Sequence, residues 1–176
     1  RGARCTAEAG GRVNAAAGLQ PRRARAPRER APASQRRLAL LGTGTVGAAF
    51  VDRYQRLQSR GLALPRVAWL ANSRSVQTCE DGLASALEQA LAAPRREVLL
   101  QGWAEAEALR EGDIVVDATA SDLVANWHPE WLARGVSVVT ANKLGHGSLL
   151  ARSQAITDAQ CETGARYGDS ATVGAG

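Results

Sequence analysis

Residues 38–54, LALLGTGTVGAAFVDRY, limit what this chain can fold into more than any other stretch. Four apolar residues, Leu38 to Leu41, read as a buried strand. Gly42, Gly44 and Gly47 follow in G-x-G-x-x-G spacing. A helical pattern comes next, with Val46, Ala49, Phe50, Tyr54 and Leu57 along one side. Strand, tight turn and helix in that order open a βαβ unit. Each glycine has its own physical reason. Gly42 permits the turn, Gly44 lets a pyrophosphate approach the backbone, and Gly47 lets helix and strand pack closely. The new helix also offers its first N–H groups and the positive end of its dipole to phosphate.

The following strand reads as RVAWLANSR, 66–74. In an NAD-binding fold, an Asp or Glu at this strand's end accepts hydrogen bonds from the adenosine ribose 2′-hydroxyl. Here Ala71, Asn72, Ser73 and Arg74 stand instead. A 2′-phosphate wants a donor such as Arg, so the stretch Asn72–Arg74 predicts NADP, with NAD possible. DGLASALEQALAAP predicts an amphipathic helix with Leu83, Leu87, Ala90 and Leu91 inward, ended by Pro94. WAEAEALREG predicts a short helix ending near Gly112. DIVVDATAS, 113–121, is the next β run. Asp117 to Ser121 fall at its carboxyl end, beside the expected nucleotide crevice, where small polar residues, Thr119, Ala120 and Ser121 among them, leave room for a nicotinamide ribose close to the backbone. WHPEWLARG predicts a helix over 127–135, VSVVT a strand over 136–140 ending in Ala141, Asn142 and Lys143, and 148–163 a further helix. ARYGDSATVGAG begins another strand and turn. Strands alternating with helices predict an α/β fold, Rossmann-like and doubly wound, with a mainly parallel sheet and helices on both faces. Ligands of such sheets bind at the strands' carboxyl ends, where all these clusters fall.

Charge separates the chain into two parts. Residues 1–37 carry ten Arg against two Glu, so an overall net charge of +5 leaves the remainder at −3. Residues 1–36 read as a disordered Arg/Ala/Pro-rich leader or linker, and 37–176 as the folded domain. The tail lacks aromatic residues, which argues against a nucleic-acid partner. No apolar run is long enough for a membrane span. Cys5, Cys79 and Cys161 are far apart and odd in number, which suits reduced thiols in a cytoplasmic protein and no zinc site. His128 reads as a helix-start residue before Pro129, His146 as an exposed loop residue, and the four Trp as packing groups. Lys143 stands out, because the other 21 basic residues are Arg.

GTGTVG, ANSR, DATAS, VVTANK and SATVGAG, in this order, resemble the nucleotide-binding half of homoserine dehydrogenase, most of all the form in bifunctional aspartate kinase–homoserine dehydrogenase. The resemblance covers about 38–176. It implies the interconversion of L-homoserine and L-aspartate 4-semialdehyde with NAD(P)H, on the route to threonine and methionine, in a full-length enzyme that is a homo-oligomer. It further implies that Gly42, Thr43, Gly44, Thr45 and Val46 line the pyrophosphate, that Thr119, Ala120 and Ser121 contact the nicotinamide ribose, and that Lys143 lies near both nicotinamide and substrate. In such a reaction negative charge develops on the carbonyl oxygen and a proton must arrive there. An ammonium can stabilise the charge and supply the proton, whereas Arg holds its proton too tightly. Some relatives bind a monovalent cation through carbonyls equivalent to Val173 and Ala175. Ser170 stands where many carry a carboxylate, which weakens that expectation here. The family's second catalytic lysine and amine-binding acids lie beyond the GAG turn, so residues 1–176 read as a fragment that binds nucleotide without turnover. Another dehydrogenase of this architecture with a different substrate, and a non-catalytic NADP-binding domain, remain as alternatives.

Overall fold

Strand β1 (Arg37–Leu41) shows how the sheet acquires two covered faces. Leu38 and Leu40 join one apolar cluster and Ala39 and Leu41 the other, and all four are buried. A strand buried on both faces needs a continuous apolar run rather than alternation, which is what Leu38–Leu41 supply. The computed structural model describes Pro32, residues 36–94, Trp103 and residues 108–170. These fall in the unit spanning Ala31–Gly176.

After β1 come α1 (Thr45–Ser59), β2 (Arg66–Ala71), β3 (Val76–Thr78), α2 (Leu83–Ala92), β4 (Ile114–Asp117) and α3 (Asp122–Ala133). The chain continues through β5 (Ser137–Thr140), the single turn α4 (Leu144–Gly147), α5 (Leu150–Thr163) and β6 (Tyr167–Gly168). The sheet order is β3-β2-β1-β4-β5-β6. Every pairing is parallel except β2 with β3. This is the strand order of a doubly wound nucleotide-binding sheet, with its reversal between β1 and β4. Helices α1 and α2 cover one face through Val51, Leu83, Ala86 and Ala90. Helices α3 and α5 cover the other through Val124, Trp131, Leu132, Ile156 and Ala159. The expected fold class is the observed one. Trp131 is buried, with Trp103 and Trp127 edge-on to it, and Arg37 lies over Trp69, so the tryptophans pack as expected.

Several local readings need correction. The inward face of α1 is only in part the expected one: Phe50 and Tyr54 pack against the core, but Gly47 and Val51 are the buried residues while Val46 and Ala49 are exposed. The helix meets the sheet at its glycine, and that contact sets its rotation. Leu91 of α2 is exposed, and Ala86 takes the inward place beside Ala90. The stretch 66–74 is a strand only to Ala71. It then turns back as the antiparallel β3, for which the short polar run Val76–Thr78 carries no apolar signal. Finally, α3 starts at Asp122 rather than near Trp127, capped by the Ser121 hydroxyl accepting from Val124 N. It runs through Pro129, so His128 is mid-helix and buried rather than a helix-start residue. Of the helix read at WAEAEALREG, Trp103 is helical and residues 104–107 lie outside the described residues, but residues 108–112 form loop and turn, so no helix reaches Gly112. The turn from 171 to 176 also lies outside the described residues.

Candidate dinucleotide site

Strand register places four chain segments at one level of the sheet edge. Leu41 pairs with both Ala71 and Asp117, and Asp117 pairs with Thr140. The next residue of three strands continues the ladder: Gly42 N donates to Ala71 O at 2.7 Å, Ala118 N to Leu41 O at 2.8 Å, and Ala141 N to Asp117 O at 2.9 Å. The Gly42–Gly47 turn, Asn72–Arg74, Thr119–Ser121 and Ala141–Lys143 therefore leave the sheet together, at the carboxyl ends of β1, β2, β4 and β5.

The β1–α1 turn is built from backbone. Gly42 has φ +99°, and a Cβ there would sit 2.7 Å from Ala118 O. A Cβ on Gly47 would overlap the Gly42 carbonyl oxygen. Gly44 differs, because a Cβ there meets nothing within 4 Å. Gly44 is the N-cap of α1, with no side-chain cap and no acid in the first turn. The start of this fifteen-residue helix thus has no side-chain cap and carries exposed Gly44, Thr45 and Val46. An uncapped helix start over a glycine is a fit for phosphate oxygens.

At the end of β2, Asn72 is buried and its side chain is engaged within the protein. Its Nδ2 donates to Thr43 Oγ1 and to Ala90 O, both at 2.9 Å. Its Oδ1 accepts from Arg74 N at 2.8 Å and Ser75 N at 2.9 Å. Asn72 thereby ties the glycine turn to the β2–β3 turn. Ser73 is exposed, and Arg74 Nη1 reaches Leu91 O at 3.4 Å.

The β4 and β5 ends are built from side chains. Asp117 is fully buried. It accepts from Thr119 Oγ1 at 2.6 Å, Thr119 N at 2.9 Å, His128 Nε2 at 2.9 Å and Asn142 Nδ2 at 3.0 Å. Burial alone would raise the Asp117 carboxyl, but the bonds from His128 and Thr119 outweigh it and hold the carboxyl below its usual range. An ionised carboxylate only accepts, so His128 Nε2 carries a hydrogen. His128 Nδ1 lies 3.1 Å from the Tyr167 hydroxyl. Burial, with the carboxylates of Asp169 and Asp117, pushes the Tyr167 phenol well up, so it keeps its proton. Asn142 donates also to Ser121 O at 2.8 Å, and its Oδ1 accepts from Leu144 N at 3.1 Å. Ser121 N in turn donates to Thr119 Oγ1 at 3.2 Å. Thr119 and Ser121 are half-buried and Ala120 is exposed.

Lys143 is the N-cap residue of α4 and is exposed, and its side chain makes no hydrogen bond or ion pair among the described residues. The turn that carries it is fixed behind. Arg152, buried in α5, donates to Leu144 O at 2.6 Å and to Asn126 and Asp122. Gly145 is compelled, since a Cβ there would overlap the Tyr167 hydroxyl. His146 is exposed as expected, but in α4 rather than a loop, with its ring edge-on to Tyr167. Sequence reasoning assigns no role to Asp117 beyond its place at the strand's carboxyl end, and none in the site to His128, Tyr167 or Arg152. A charged residue inside an apolar run, as in DIVVDATAS, is the signal that could find the first of them. Val173 and Ala175 lie outside the described residues. Among the described residues no cluster of His, Cys, Asp or Glu could hold a metal ion, and no helix is long and apolar enough to cross a membrane.

Residues 42–168 match the family model for the homoserine dehydrogenase NAD binding domain. The chain belongs to the homoserine dehydrogenase family. It is 31% identical over 147 residues to the bifunctional aspartokinase/homoserine dehydrogenase 2 of Escherichia coli K12, covering 79% of this chain and 18% of that one. A putative homoserine dehydrogenase from Archaeoglobus fulgidus superposes with a TM-score of 0.62 at 23% identity, over 78% of this chain and 43% of that one. A hyperthermophilic archaeal homoserine dehydrogenase, solved in complex with NADPH, gives 0.59 at 19% identity, over 79% and 44%. At these identities the two structures speak for the fold. The chain spans under one fifth of its E. coli relative and under half of these homoserine dehydrogenases.

Proposed function

We propose that residues 37–176 are the nucleotide-binding domain of an NADP-dependent homoserine dehydrogenase, a cytoplasmic enzyme that interconverts L-homoserine and L-aspartate 4-semialdehyde. The observation that carries this reading is the uncapped start of α1 behind Gly44, level with the three other strand-end clusters. The first N–H groups of α1, with Gly42, Thr43, Gly44, Thr45, Val46 and Gly47, hold the pyrophosphate. Ser73 and Arg74 meet the adenosine 2′-phosphate, the Arg as a charged donor. Thr119, Ala120 and Ser121 lie along the nicotinamide ribose. Asn72 and Asn142 support these contacts from beneath the edge, since their side-chain hydrogen bonds are made within the protein. Lys143, exposed at the end of β5, points its ammonium at the developing oxyanion and delivers the proton. The dihydronicotinamide, when bound, supplies the hydride. Residues 1–176 by themselves bind cofactor without turnover. The 1–36 segment acts as leader or linker, and any monovalent cation sits at Val173 and Ala175.

Arg74→Asp tests the cofactor preference. Titration of the wild-type and variant chains with NADPH and NADH should show NADPH weakened by about tenfold or more, the scale of one charge-assisted hydrogen bond, with NADH little changed. Equal losses for both would remove Arg74 from the 2′-phosphate site.

A further inference from the structure

The two strand-end turns that flank the β4–β5 edge share one buried anchor. Thr119 bonds to Asp117 through both its amide and its hydroxyl, and Asn142 bonds to the same carboxylate through its side-chain amide. Asn142 also holds Ser121 O on one side and Leu144 N on the other, the residue directly after Lys143. Behind the carboxylate stands His128, completely buried, with Tyr167 on its far nitrogen. The carboxylate thus receives donors from β4's own turn, from β5's turn and from α3. None of these hydrogen bonds is made to the Gly42–Gly47 turn or the Ser73–Arg74 turn.

We infer that His128, through Asp117 and Asn142, is a positioning residue for the nicotinamide end of the site: it fixes the orientation of Asp117, which sets Thr119–Ser121 and Lys143 relative to each other. The inference rests on the cofactor reading above for its ligand, but not for its geometry. A buried carboxylate with several acceptor sites has alternative orientations, and a donor fixed in a helix selects one. His128 can do this because Tyr167 holds its other nitrogen. Gly145, which must lack a Cβ beside the Tyr167 hydroxyl, shows that the α4 turn is fitted around the same network.

The test uses chain 1–176 and two ligands. NADPH engages the whole edge, whereas 2′,5′-ADP carries only the adenosine end. His128→Leu removes the donor to Asp117, and His128→Gln restores an N–H near the Nε2 position. Reductive methylation with isotope-labelled formaldehyde marks Lys143 and the N-terminal amine alone, because the chain has no other lysine. In His128→Leu, NADPH affinity should fall about tenfold with 2′,5′-ADP within about twofold, the loss expected of one hydrogen bond to a charged group. The methyl signal of Lys143 should move in His128→Leu and return toward wild type in His128→Gln. Equal losses for the two ligands, or an unmoved Lys143 signal, would overturn the inference. If the wild type binds neither ligand, the cofactor reading fails, and the Lys143 signal still decides the positioning claim. Should His128→Leu not fold, Tyr167→Phe replaces it. A selective NADPH loss supports the relay, and a loss shared by both ligands, or none, refutes it.

Discussion

The β1–α1 turn and the β4–β5 edge lie at the same edge of the sheet but are made by different means. The first is backbone over three glycines, two compelled by contact and one left open. The second is a buried carboxylate with side-chain donors from residues up to 25 positions away. A backbone-built subsite depends on what is missing from the chain. A side-chain-built subsite depends on groups that must all be present and paired. The two should therefore fail differently under substitution.

The largest effect is expected at Gly47. Gly47→Ala forces a methyl against the Gly42 carbonyl, and thermal or urea unfolding should register a loss of about 3 kcal/mol. A loss under about 1 kcal/mol would mean that α1 can shift away from the turn without penalty. Asp117→Asn comes next. The amide nitrogen would face donors, and removing the charge weakens the bonds that remain, for a loss of about 2 kcal/mol. Its pH dependence carries a sign. Because the folded carboxyl lies below its ordinary value, its stabilisation is present above about pH 3.9 and is lost as pH falls through the folded value. Acid unfolding of the wild type should show this added slope, and Asp117→Asn should lack it.

Tyr167→Phe should be milder, roughly 1 kcal/mol, and visible on the alkaline side. The raised phenol contributes stability that is full below about pH 10 and is lost as pH rises toward the folded value. Tyr54 is also raised, by burial, so the variant should flatten the alkaline slope only in part. An unchanged slope would place Tyr167 outside the buried network. Smallest in stability is Gly44→Ala, expected within about 0.5 kcal/mol of wild type because its Cβ meets open space.

The backbone-built half is legible in sequence because its requirements are local. Three glycines at fixed spacing between an apolar run and a helix state the turn, the strand and the helix together. The strands β1, β4 and β5 are legible for a similar reason, as short apolar runs at the sheet's centre. What escapes is non-local or set by competing signals. The β3 hairpin depends on Asn72 bonding back to Arg74 and Ser75, with no apolar pattern of its own. Pro129 suggests a helix start, yet Ser121 caps α3 well before it and packing of Val124, Trp131 and Leu132 carries the helix through. His128 reads as a helix-start residue because nothing nearby in sequence shows Asp117 or Tyr167 beside it. Lys143 is conspicuous by composition, but what holds it in place is not.

The central claim is that this edge of the sheet receives a nicotinamide dinucleotide. It is tested most directly by titrating chain 1–176 with NADPH and following intrinsic tryptophan fluorescence or heat. Saturation at one site is the predicted result, abolished by Gly44→Val, whose side chain would fill the phosphate approach while the melting temperature stays near wild type. Absence of saturable binding by the folded wild-type chain, or binding that survives Gly44→Val undiminished, would contradict the claim.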